Sequence, residues 1–126
     1  MLRELRLTQR DPSGTRKRWF QDDYFDLFTW QEQNGEVTSF QLCYDRLGVE
    51  RVFSWDQDRG FGHHRIDDGE ASPHKNMTPV FIMDGPFSPT EVIPKFIKAS
   101  EPISKTIKTF VMQKIFEYLN QQNELE

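Results

Sequence analysis

One cysteine, Cys43, is all the chain carries, so no internal disulfide can form and a reducing, cytoplasmic location is the expectation. No stretch approaches the roughly 18 consecutive apolar residues that suggest a membrane-spanning helix. The opening residues MLRELRLTQRD are too charged for a secretory signal peptide. Signatures of catalysis or cofactor binding are missing as well: there is no GxSxG elbow, no P-loop, no GxGxxG and no CxxC. Gly60-Phe61-Gly62 supplies two glycines without the strand-to-helix setting that a phosphate cradle requires. Neither an internal repeat nor a low-complexity tract occurs. These absences remove the best-marked enzyme classes and make a non-catalytic reading the leading one.

Positive charge is also in short supply. Sixteen Lys and Arg stand against twenty Asp and Glu, a formal net charge of −4. The deficit is uneven: residues 1 to 19 hold six basic groups against two acidic ones, residues 20 to 91 five against fourteen, and residues 92 to 126 five against four. Binders of DNA and RNA gather Lys and Arg on one surface to displace phosphate counterions, so the acidic middle argues against nucleic acid. The local exception is Arg16-Lys17-Arg18-Trp19, where cations beside an aromatic ring suit a weak nucleic-acid contact. The plainer reading is a solvated strand start.

What the chain has in quantity is aromatic side chains, 13% of its 126 residues, a length that suits a single domain with one core. Those between Tyr24 and Trp55 recur at strand spacing. Asn34-Gly35 is the dipeptide favoured in a two-residue type I′ hairpin, because both central positions need positive φ. That turn sets Gln33 opposite Glu36, Thr29 opposite Phe40, Leu27 opposite Leu42 and Phe25 opposite Tyr44. Period-two alternation then puts all the large members on one face. A four-residue loop at 46–49 brings Phe53 to Leu42 and Trp55 to Phe40. The opposite face carries Asp26, Phe28, Trp30, Ser39, Gln41, Cys43, Val52 and Ser54, a mixed and partly covered surface.

Flanking strands are expected at 2–7, 15–21, 61–66 and 78–84, with a long polar connection at 67–76. Everything after Gly85 turns helical. Ser88-Pro89-Thr90-Glu91 combines an N-cap serine, a proline at the first helical position and an acidic first turn. Pro94 and Pro102 predict one short helix, a break near Ser100 and a longer helix to about 120. On the longer one Ile103, Ile107, Phe110, Val111, Ile115 and Leu119 form a continuous stripe that suits the oily side of the sheet. The fold class is therefore α+β: a mainly antiparallel meander of about five to seven strands with two C-terminal helices packed on one face.

Three kinds of site are on offer. The leading one is a binding surface of Trp19, Asp26, Phe28, Trp30 and Gln41 on the face away from the helix-covered core, suited to a protein partner, a homodimer mate or a small polar ligand stacked on Trp30. Its plain alternative is that residues near the N-terminus or the short helix cover it. The second is a divalent metal held by His63, His64, Asp67, Asp68, Glu70 and His74, ligand types that zinc or manganese accept and that would support hydrolysis. Neighbouring strand residues face opposite ways, however, so His63 and His64 cannot both reach one ion in a regular strand; His64 with Asp67 or Asp68 and His74 can meet across a loop. The third is the nucleic-acid contact at 16–19. Asp22, Asp23 and Asp26 read as an exposed strand boundary, and Cys43, with no helix N-terminus beside it, as an inert thiol.

Overall fold

The computed structural model describes residues 1–5, 14–48, 50–67, 80–83 and 89–124. Seven strands, β1 (Arg3–Leu5), β2 (Arg16–Gln21), β3 (Phe25–Gln31), β4 (Val37–Tyr44), β5 (Arg51–Asp56), β6 (Gly60–Asp67) and β7 (Val80–Met83), form one sheet in chain order, every pair antiparallel. Two helices follow, α1 (Pro89–Ala99) and α2 (Lys105–Glu124). The α+β architecture read from the sequence is the one observed. Of the long connection expected at 67–76, Asp67 belongs to β6 and residues 68–76 lie outside the described residues, as does the Ser88 cap.

The central register is also the expected one: Phe25 pairs with Tyr44, Leu27 with Leu42, Thr29 with Phe40, then Leu42 with Phe53 and Phe40 with Trp55. The turn that was expected to set it is different. Glu32, not Gln33, faces Glu36; the Glu32 carbonyl accepts from Gly35 N–H at 2.8 Å and the Glu36 carbonyl from Glu32 N–H at 2.9 Å. Gly35 has φ 87°, while Asn34 is not among the positive-φ residues, so the loop has three residues and closes on a glycine bulge. Such a one-residue slip would turn every later side chain of β4 to the wrong face. A second irregularity cancels it. Trp30 pairs with Ser39 but Gln31 with Val37, which leaves Thr38 as an extra residue on β4. The Thr38 hydroxyl donates to the Trp30 carbonyl at 3.3 Å, and its own carbonyl accepts from Gln57 N–H at 2.9 Å. The physical reason is burial: the paired slips place Val37 in the interior at 5% exposure, a position the uninterrupted register gives to Thr38.

Both helices lie on the side that carries Phe25, Leu27, Phe40, Leu42 and Phe53, all fully buried. From α2, Ile107, Val111 and Ile115 fill the interior; Phe110 meets Phe40 and Trp55 edge-on at 6.2 and 5.2 Å, and Tyr118 meets Phe53 at 5.3 Å. From α1, Val92, Phe96 and Ala99 enter the same core, with Phe96 edge-on to Phe25 at 5.7 Å. Pro94 sits inside α1 without ending it, and the chain turns at Ser100, whose N–H donates to the Phe96 carbonyl at 2.8 Å. Leu2, buried on the same side, donates its N–H to the Ala99 carbonyl at 2.9 Å and so ties the first strand to the end of α1.

Two outcomes follow from this packing. Thr29 faces the core, is fully buried, and its Oγ1 has no hydrogen-bond partner among the described residues. Thr29→Val therefore leaves stability unchanged or raises it by about 1 kcal/mol, while Phe40→Ala costs about 3–5 kcal/mol. Urea midpoints check both, and a clear loss in Thr29→Val would show that the hydroxyl is satisfied.

At the β1 edge, Arg18 clasps Glu4 through two 2.7 Å hydrogen bonds, and this bond chiefly holds the Glu4 carboxyl below its ordinary value of 4.5. A depressed folded-state pKa stabilises above the unfolded value and is lost as pH falls below about 4.5. The pair is partly exposed, so its worth stays under about 1 kcal/mol. The stability gap between wild type and Glu4→Gln shrinks from pH 7 to pH 3; a gap that does not change with pH contradicts the assignment.

Candidate binding surface

The side of the sheet away from both helices is assembled in rows by the strand register. One row is Trp19, Phe28, Gln41 and Ser54; the next is Lys17, Trp30, Ser39 and Asp56; on the other side lie Gln21, Asp26, Cys43 and Val52. Helix α1, which had the alternative role of covering the aromatic row, belongs to the core on the opposite face. Trp19 and Phe28 stack with centroids 5.5 Å apart and planes 18° from parallel. Lys17 Nζ lies over the neighbouring rings, 5.0 Å from the Phe28 centroid and 5.3 Å from that of Trp30. All three aromatics are half-buried, and Lys17 is exposed.

Asp26 organises the adjoining row. Its Oδ1 accepts from Trp19 Nε1 and from Gln21 Nε2, both at 2.9 Å, and its Oδ2 pairs with Arg46 Nε at 3.3 Å. Arg46 reaches this point from the turn after β4, where Asp45 takes φ 56° and accepts from Gly48 N–H at 3.0 Å; the guanidinium also donates to the Asp22 carbonyl at 3.0 Å. Asp26 thus fixes the Trp19 indole in place while its charge is matched by Arg46.

Toward β5 this face closes over. Cys43 and Val52 are 6% and 1% exposed. Burial, helped by the charges of Glu50 and Asp26, pushes the Cys43 thiol up to about 12 and leaves it inert, as its place on a strand suggested. Burial likewise raises the Glu50 carboxyl, with Asp26 adding to the effect. The accessible part of the face is the aromatic part, over β2, β3 and the start of β4.

The basic run at 16–19 is divided by strand alternation. Lys17 and Trp19 face the open side, whereas Arg18 pairs with Thr29 on the helix side, lies over the Phe20 ring at 5.1 Å and is taken up by Glu4. A continuous basic strip does not form here.

The histidines are separated in the same way. His63 points into the core at 4% exposure, with its Nε2 on the Tyr44 hydroxyl and its ring stacked on the Tyr44 ring at 5.9 Å. His64 faces the other side, opposite Val52. Asp67 ends β6, while Asp68, Glu70 and His74 lie outside the described residues. Among the described residues no three metal-ligating side chains come together.

The sequence reading missed the buried Tyr44 and His63 pair, which joins β4 to β6 diagonally across β5, and the Tyr24 ring stacked on Tyr44 at 6.4 Å under Lys95 Nζ at 4.1 Å. It also missed the Arg46 to Asp26 link. Among the described residues, one hollow of about 460 Å³ adjoins the ends of β2 and β3 at Gly14, Thr15 and Glu32 to Asn34, and another of about 360 Å³ lies between the helices at Ile97, Ser100, Lys108 and Met112. No helix among the described residues is long and apolar enough to cross a membrane. Compared with known proteins, the chain matches no family model, no curated sequence and no solved structure.

Proposed function

We propose that this chain is a small non-catalytic binding domain that holds a protein partner against the aromatic part of its open sheet face. The observation that carries this reading is the stacked Trp19 and Phe28 beside Trp30, roofed by Lys17, on a side that neither helix covers. Aromatic groups with one polar edge dominate the energetics of protein contacts because they bury much area at little entropic cost. The rings are also held in place before any partner arrives: Asp26 fixes Trp19, and Trp19 stacks on Phe28. The surface belongs to strands, whose side chains stand up from a rigid layer, which suits a partner better than an enclosed small molecule. A reducing, cytoplasmic setting in a bacterial cell belongs to the same reading, supported by the lone buried thiol.

Placing a photo-crosslinking p-benzoylphenylalanine at Trp30 or Phe28 in the full chain, inside cells, tests this. The expected result is an adduct of discrete mass that mass spectrometry identifies as one protein. The same group at Leu47, which is 82% exposed in the β4–β5 turn, gives no such adduct. With the partner in hand, Trp30→Ala weakens binding tenfold or more. Adducts that are the same at Leu47 and Trp30, or none at either face position, count against the proposal.

A further inference from the structure

Resting on that reading, we infer that the partner presents an extended acidic segment, with carboxylates two residues to either side of a large apolar or aromatic side chain. Arg18 is taken by Glu4 and Arg46 by Asp26. Arg3 and Lys17, both exposed, have no carboxylate partner among the described residues. Both stand on the open face: Arg3 is in register with Gln21 and, through it, Asp26, while Lys17 is in register with Trp30. Of the carboxylates in the same rows, Asp26 is matched by Arg46 and Asp56 accepts from the Asp58 and Arg59 N–H groups, so Arg3 and Lys17 are the charges left for a partner.

The spacing supplies the rest. Gln21 and Lys17 are four residues apart on β2, about 13 Å at roughly 3.3 Å per residue, and the Trp19 and Phe28 pair lies midway. An extended chain laid along the strands repeats its side-chain direction every second residue. Acidic side chains at positions i and i+4 then reach Arg3 and Lys17 while the side chain at i+2 packs on the Trp19 and Phe28 rings. The Trp30 indole N–H and the Gln41 amide hold no hydrogen bond among the described residues and are available to the segment's backbone or flanking polar groups.

Two other occupants fit less well. A second copy laid on this half-face by a two-fold axis across the strands sets Lys17 toward Arg3, cation against cation. A nucleic acid gains its affinity from neutralising many phosphates, on the order of six to ten in a typical site. Two uncommitted cations on the described part of this face fall short of that.

The probe is an acetylated, amidated heptapeptide reading Thr-Glu-Thr-Phe-Thr-Glu-Thr, titrated into the full chain while the indole N–H resonances of Trp19 and Trp30 are followed by NMR. Both resonances move, and Kd weakens about tenfold in Lys17→Glu and again in Arg3→Glu; these exposed positions leave the fold intact, which an unchanged amide spectrum elsewhere verifies. Replacing both glutamates of the peptide by glutamine has the same effect as the charge reversals. If the glutamine peptide binds as well as the acidic one, acid selection is overturned while the binding-surface reading stands. If no peptide moves either indole although crosslinks at Trp30 persist in cells, the acidic segment is again the part that fails. A thymidine oligomer that binds more tightly than the acidic peptide overturns the inference in favour of nucleic acid.

Discussion

Burial of one face of the meander beneath both helices is the constraint on which the rest of this molecule depends. Seven antiparallel strands offer two faces, and the chain supplies two helices, both laid on the same one. Phe25, Leu27, Phe40, Leu42 and Phe53 give that face its apolar content, and α1 and α2 answer it with Phe96, Ile107, Val111 and Ile115. Apolar area removed from water drives this pairing at roughly 25 cal/mol per Å². The opposite face is the one that neither helix covers, and its half-buried rings are the candidates for a partner.

The hairpin between β3 and β4 shows which local signal yields to which. Turn chemistry at Asn34-Gly35 favoured a two-residue loop, yet the chain adopts three, and the bulge at Thr38 returns the register to the one the hydrophobic pattern demands. Alternating large residues over a whole strand outweigh a preference confined to two turn positions. This explains why Leu27, Leu42 and Phe53 were legible from the sequence while the loop that joins them was misread. The helix stripe from Ile107 to Ile115 was legible for the same reason, since a period of 3.6 sustained over more than two turns has few competing explanations. The role of α1 was less visible: Val92, Phe96 and Ala99 are spaced for one face, but only the packing shows which side of the sheet they join.

At the candidate surface, Phe28, Trp30, Asp26 and Gln41 followed directly from alternation along β3 and β4. The roles of Lys17 and Arg46 did not, because a long side chain reaches beyond its own row and its direction is not written in periodicity. Alternation also divides what looks continuous in one dimension. Arg16 to Trp19 read as a basic cluster, but on a strand its members go to two faces, and one of the arginines serves the β1 edge instead. His63 and His64 illustrate the same rule, one in the core beside Tyr44 and the other across the sheet.

Solvent exposure of the rings tests the central claim most directly. In proton NMR with a soluble nitroxide, the Trp30 ring signals broaden strongly while those of Phe40, Phe53 and Phe96 stay sharp, since the latter three are fully buried beneath the helices. Equal broadening of Phe40 and Trp30, or protection of Trp30 to the level of Phe40, would contradict a sheet covered by both helices on one side and accessible along its aromatic rows on the other.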